Sequence, residues 1–139
     1  MTDAVVIEHS LHACVDPDCL GKVHALVEQL WAESVDVAEI DRILFESAVL
    51  EIAGNIVQHS VSDQPILCNL TLRIYPTRLE AVFCDTAEEA AVDVESATMP
   101  DDLAESGRGL AMTKRALDQL SYQREGHVNC WRLSRTRTG

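Results

Sequence analysis

The stretch from Ile66 to Cys84 constrains the fold of this chain more than any other. Ile66, Cys68, Leu70, Leu72 and Ile74 recur at every second position, with Asn69, Thr71, Arg73 and Tyr75 between them. A period of two puts the two sets on opposite faces of an extended segment, so 66–75 reads as a half-buried strand. Pro76-Thr77 supplies a turn, and residues 78–84 return as the antiparallel partner. A sheet with one apolar face needs a second layer to cover it.

Two upstream helices are predicted to provide that layer. Asp16 at the cap and Pro17 in the first turn open one, and Leu20, Val23, Leu26, Val27, Leu30 and Trp31 keep helical spacing to about Ser34. The second runs from near Asp36 to about His59. Residues 4–13 suit a first strand ahead of both. Residues 85–106 have no clean period and are rich in Asp, Glu, Ala and Ser, so they read as a long loop. Leu110, Thr113, Leu117 and Leu120 mark a third helix, and two short strands, near 121–125 and 127–134, hinge on Gly126. No repeat or linker interrupts the order β-α-α-β-β-loop-α-β-β. The fold expected is one α+β domain over 1–139, a two-layer sandwich with helices covering a mixed, mostly antiparallel sheet.

Composition narrows the function. Hydrophobic residues make up 47% of the 139 and aromatics only 4%, so aliphatic residues and alanine must fill the core. A formal net charge of −12 opposes unspecific binding to nucleic acid or anionic membranes, because phosphate contacts need Lys and Arg. The five cysteines are odd in number and include no C-x-x-C pair, so neither a disulfide framework nor a zinc ribbon is expected. Several sit in apolar runs, where a thiol behaves as a small hydrophobe. With no apolar leader at the start and no run of membrane-spanning length, a reducing cytoplasm is the expected location.

Two constellations carry chemistry. Glu51, Asn55 and His59 are spaced i, i+4, i+8, one slowly drifting stripe on a helix. Spacing alone fits a solvated polar face. Yet residues 43–59 contain no Lys or Arg, which solvated faces usually carry. The set also combines a carboxylate that can act as base, an amide oxygen that suits Mg²⁺, and an imidazole that can donate to phosphate. The second is Glu105-Ser106-Gly107-Arg108-Gly109-Leu110, leading into a helix. Helix N-termini present unpaired N–H groups and partial positive charge, and glycines let a phosphate approach. Arg108 adds a full charge. Taken alone, the same residues also fit an ordinary turn capped by Ser106.

The combination is more specific than its parts. Glu51-x-x-x-Asn55-x-x-x-His59, two strands, Asp85, a long loop and Gly107-Arg108-Gly109-Leu110 resemble the motif order of the GHKL ATPases, which include histidine kinases, gyrase-type ATPases and Hsp90-type chaperones. At this size the chain most resembles the stand-alone anti-sigma regulatory serine kinases. LEIAGNIVQHS is similar to their N box and ESGRGLAMTKRALDQL to their last glycine box. The resemblance implies a Bergerat-like ATP-binding fold with ATP and Mg²⁺ as cofactors. It implies that Asn55 coordinates Mg²⁺, that Glu51 is the base or orients the attacking group, and that His59 lies near the phosphates or lid. Asp85 would accept the adenine amino group, residues 86–106 would form the lid, and Gly107, Arg108, Gly109 and Leu110 would meet the phosphates. The implied partners are a sigma factor and a small antagonist protein phosphorylated on serine, with a homodimer as the assembly.

The middle motif departs from the family pattern. After Asp85-Thr86, Ala87 and Glu89 stand where glycines are usual, and Glu88 and Glu89 add negative charge near the expected triphosphate. This leaves a second reading open, a non-catalytic partner-switching module on the same fold. A third reading is an ATPase or kinase fragment of a two-component system. Nothing in the sequence matches an attached phosphoacceptor domain, which argues against a complete histidine kinase.

Overall fold

A computed structural model describes residues 4–14, 18–34, 36–58, 66–86 and 112–138. In chain order these form β1 (Ile7–Cys14), α1 (Cys19–Ala32), α2 (Glu39–Gln58), β2 (Leu67–Ile74), β3 (Arg78–Asp85), β4 (Gln119–Glu125) and β5 (Val128–Thr136). The strands make one sheet in the order β1-β2-β3-β5-β4. Every pairing among the described residues is antiparallel, in keeping with the mostly antiparallel sheet expected from sequence; none of these pairings is parallel.

The alternation of β2 has the predicted result. Cys68, Leu70, Leu72 and Ile74 are buried, while Leu67 and Asn69 are exposed. The β3 register continues the same face with Leu79, Ala81, Phe83 and Asp85, all buried. β5 adds Asn129, Trp131 and Leu133. Both helices lie on this face, with α1 against β1 and α2, and α2 against β3 and β5. Helix α1 contributes Val23, Val27 and Leu30, and α2 contributes Phe45, Val49, Ile52, Ala53 and Ile56. Each of these Val, Leu, Ile and Phe side chains is worth about 1.5–3 kcal/mol of apolar burial, so the sandwich rests on this shared layer. No helix among the described residues is long and apolar enough to cross a membrane.

Four local expectations are corrected. Helix α1 has Asp18 at its cap position and begins at Cys19, without a capping hydrogen bond from the Asp18 side chain. Asp16 and Pro17 lie outside the described residues. Helix α2 starts at Glu39 rather than near Asp36, with Glu39 and Asp41 in a first turn where the dipole favours carboxylates.

The third helix ends earlier than its apolar spacing suggested. Residues 112–116 are helical, but Leu120 belongs to β4, opposite Leu133. The competing force is β5. Ser134 C=O accepts from Asp118 N–H at 2.8 Å, the Asp118 carboxylate accepts from Thr136 N–H, and Arg135 Nη1 donates to Ala116 C=O at 2.7 Å. These bonds end the helix and draw the chain into the sheet. The closing hairpin turns at Gly126-His127, and Gly126 adopts φ 63°, the left-handed region that glycine alone enters without strain.

The cysteine expectation also fails at one pair. Cys84 and Cys130 are register partners on β3 and β5 and form a disulfide. They occupy the face of the sheet opposite α1 and α2, and both are half-buried. Their separation of 46 residues and the odd total hid the pair. Cys68 fits the expected role of a small core hydrophobe: burial, with the Cys19 and Asp85 charges, pushes its thiol up to about 12.

Candidate functional site

Asp85 ends β3 on the face that the helices cover. It is 2% exposed, and its register partners are Cys68 on β2 and Asn129 on β5. A carboxylate at such a position must be hydrogen-bonded to stay charged. Asn129, itself buried, donates from Nδ2 to Asp85 Oδ1 at 3.0 Å, and Asp85 Oδ2 is buried too. Behind Asn129, its Oδ1 accepts from the Tyr122 hydroxyl at 2.5 Å and from Arg124 Nη1 at 2.8 Å. Tyr122 packs on Trp131, with ring centroids 4.6 Å apart. A polar cluster therefore occupies the end of an otherwise apolar face.

Glu51 and Asn55 stand one turn apart on α2, both half-buried, while Ile52, Ala53 and Ile56 beside them face the core. Neither side chain has an ion pair among the described residues. Gly54, next to Asn55, is half-buried, and a Cβ there would meet nothing within 4 Å among the described residues. His59, Gly107, Arg108, Gly109 and Leu110 lie outside the described residues, as do Ala87, Glu88, Glu89 and all of the expected lid except Thr86. Thr86 closes the end of β3: its N–H donates to Leu67 C=O, and its Oγ1 accepts from Leu67 N–H, each at 3.0 Å.

The donor set fits a magnesium nucleotide. A buried, accept-only carboxylate at a strand end suits an exocyclic amino group, and an amide and a carboxylate on one helix stripe suit a hard cation and a proton acceptor. Sequence reasoning named Asp85, Glu51 and Asn55 as candidates and did not single out Asn129, Tyr122 and Arg124, which join Asp85 in the polar cluster. The available signal was a break in pattern: Asn129 is polar at an inward position of a strand that continues with Trp131 and Leu133.

A second polar centre lies where the helix layer meets the chain end. Asp41, buried on α2, accepts from Arg135 Nε at 3.0 Å and from Thr138 N–H and Oγ1, each at 2.9 Å. Burial disfavours its charge, but the Thr138 and Arg135 hydrogen bonds outweigh that and hold the carboxyl below its ordinary value. This centre ties α2, residues 112–116 and β5 together and belongs to the scaffold.

Comparison with known proteins fits this geometry. The family model described as histidine kinase-like ATPase domain matches residues 15–135. No curated protein matches the sequence. Among solved structures, the RsbU and RsbW domains of Rv1364c from Mycobacterium tuberculosis align at TM-score 0.62 and 16% identity, covering 94% of this chain. This chain spans 33% of that one. The catalytic domain of histidine kinase ThkA, in a nucleotide-free form, aligns at TM-score 0.54 and 7% identity, covering 93% of this chain and 96% of that one. At such identities the structural likeness speaks for the fold, while the family match spans most of the sequence. With its antiparallel sheet under a helix layer, the chain belongs to the histidine kinase-like ATPase domain family.

Proposed function

We propose that the whole chain acts as one ATP-binding domain of the anti-sigma regulatory type and transfers phosphate to a serine of a small antagonist protein. The observation that carries this reading is Asp85, a buried carboxylate at the end of β3 that accepts from Asn129 through Oδ1 and is placed on the helix-covered face. The family match and the likeness to a structure that includes an RsbW domain support it further.

In this reading Asp85 accepts the adenine amino hydrogen. Asn55 would hold Mg²⁺ through its amide oxygen, and Glu51, one helical turn before it on α2, would take the proton of the acceptor hydroxyl. In the same reading Gly107, Arg108, Gly109 and Leu110 would meet the phosphates, His59 would lie near the phosphates or the lid, and residues 86–106 would be that lid. Bound Mg·ATP supplies the transferred phosphoryl group and neutralises charge on it, so the protein contributes mainly position and electrostatics. The partners are a sigma factor and its antagonist, the assembly is a homodimer, and the setting is the cytoplasm.

The test is phosphotransfer from labelled ATP to an antagonist captured by co-purification. Glu51→Ala should reduce transfer by about 10²–10⁴-fold and leave ATP binding intact, since a general base touches the attacking oxygen and not the base. A wild type that holds its partner tightly, binds no nucleotide and transfers nothing would favour the partner-switching module. Ala87 and Glu89 would then be the first residues to revert to the glycines of the family pattern.

A further inference from the structure

The direction of the Asp85 carboxylate is set from outside its own strand. Asn129 reaches it across the β3–β5 ladder, and an amide can present either end. Here its other neighbours decide. Arg124 is a donor only, so the atom 2.8 Å from its Nη1 must be the amide oxygen. The Tyr122 hydroxyl, at 2.5 Å, occupies the second lone pair of that oxygen. The NH₂ end is thereby forced toward Asp85. Because NH₂ can only donate, Asp85 Oδ1 must accept. The chain of bonds has one polarity, from Tyr122 and Arg124 through Asn129 to Asp85.

We propose that Asn129, locked by Tyr122 and Arg124, is the positioning residue that fixes Asp85 as an accept-only reader of six-amino purines. The inference rests on the reading of Asp85 as the base acceptor and adds what gives that acceptor its selectivity. With Oδ1 held, the carboxylate plane is fixed, and with it the direction of Oδ2. A fixed oxygen aimed at a six-amino group meets a donor in adenine and an acceptor in hypoxanthine. Hypoxanthine also carries a donor at N1, one ring position away. A carboxylate that can turn reaches that N1–H, whereas a held one does not. Loss of the hold therefore lowers discrimination and leaves binding of the oxo purine nearly unchanged.

The experiment measures ADP and inosine diphosphate affinities by calorimetry on the full chain. Wild type should prefer ADP. Asn129→Leu keeps the volume and removes the donor, so ADP affinity should fall about tenfold while inosine diphosphate affinity holds. The ADP preference then shrinks about tenfold. Should Asn129→Leu fail to fold, Tyr122→Phe combined with Arg124→Met leaves Asn129 in place and lets its amide turn, and the preference should shrink about threefold or more. Equal loss for both nucleotides means Asn129 only supports the fold, and it overturns the proposal, as does an unchanged preference in these variants. A wild type that binds both nucleotides equally, or neither, removes the base-reading role of Asp85 and the proposal with it. A discriminating wild type with unaffected variants removes only the role of Asn129.

Discussion

Replacing Arg135 by methionine isolates the bond between the closing strand and the helix layer. The Arg135 side chain is 15% exposed and donates to Asp41 and to Ala116 C=O, while Asp41 is wholly buried. Removing one partner of a buried ion pair costs about 3–5 kcal/mol, because the remaining charge loses its compensation. Two features reduce that figure here. Thr138 still gives Asp41 two hydrogen bonds, and methionine keeps the apolar stem. The expected loss is about 2–3 kcal/mol, a fall in Tm of roughly 6–12 °C for a chain of this length.

The pH dependence gives the same substitution a sign. The folded Asp41 carboxyl is held below its ordinary value, burial being outweighed by the Thr138 and Arg135 hydrogen bonds. Its stabilisation is therefore complete above the ordinary carboxylate range and is lost as pH falls through the folded value. Without the guanidinium the carboxyl protonates more readily, so the gap between Arg135→Met and wild type should narrow on acidification. Urea unfolding at neutral pH and below the carboxylate range measures both effects. A neutral-pH loss under about 0.5 kcal/mol, the size of a surface pair, would refute the reasoning, and so would a gap that does not change with pH.

Two further outcomes are expected. Asn55→Ala should abolish phosphotransfer and make residual nucleotide binding insensitive to Mg²⁺, read by titration with and without chelator; a Mg²⁺ response equal to wild type would return Asn55 to the status of a solvated residue. Cys84→Ser should lower stability by about 2–4 kcal/mol, as expected for opening a loop of 46 residues, and a thiol reductant should destabilise wild type but not the variant.

Local patterns were legible in the sequence where one period decided the outcome. The alternation of β2, the buried side of α2 carrying Ile52 and Ile56, and the turn at Gly126 all follow from residues near one another. Asp85 was legible because it ends an apolar strand. Features that depend on which strands pair were not. Asp85 meets Asn129, and Cys84 meets Cys130, only through the β3–β5 register, which joins segments 44 and 46 residues apart. The third helix was overextended for a related reason. Leu117 and Leu120 keep helical spacing, but Ser134, Thr136 and Arg135 capture the backbone and side chain of Asp118 and the carbonyl of Ala116. A tertiary partner overrides spacing there, and a single sequence does not display the partner.

The most direct test of nucleotide binding is a calorimetric titration of the full chain with Mg·ADP, run beside Asp85→Asn. Saturable binding is expected in wild type, weakened in the variant by about 1–3 kcal/mol, the cost of spoiling a buried hydrogen bond at the base. No heat with wild type at millimolar nucleotide, or equal affinity in the two proteins, would contradict the assignment of Asp85 as the adenine acceptor.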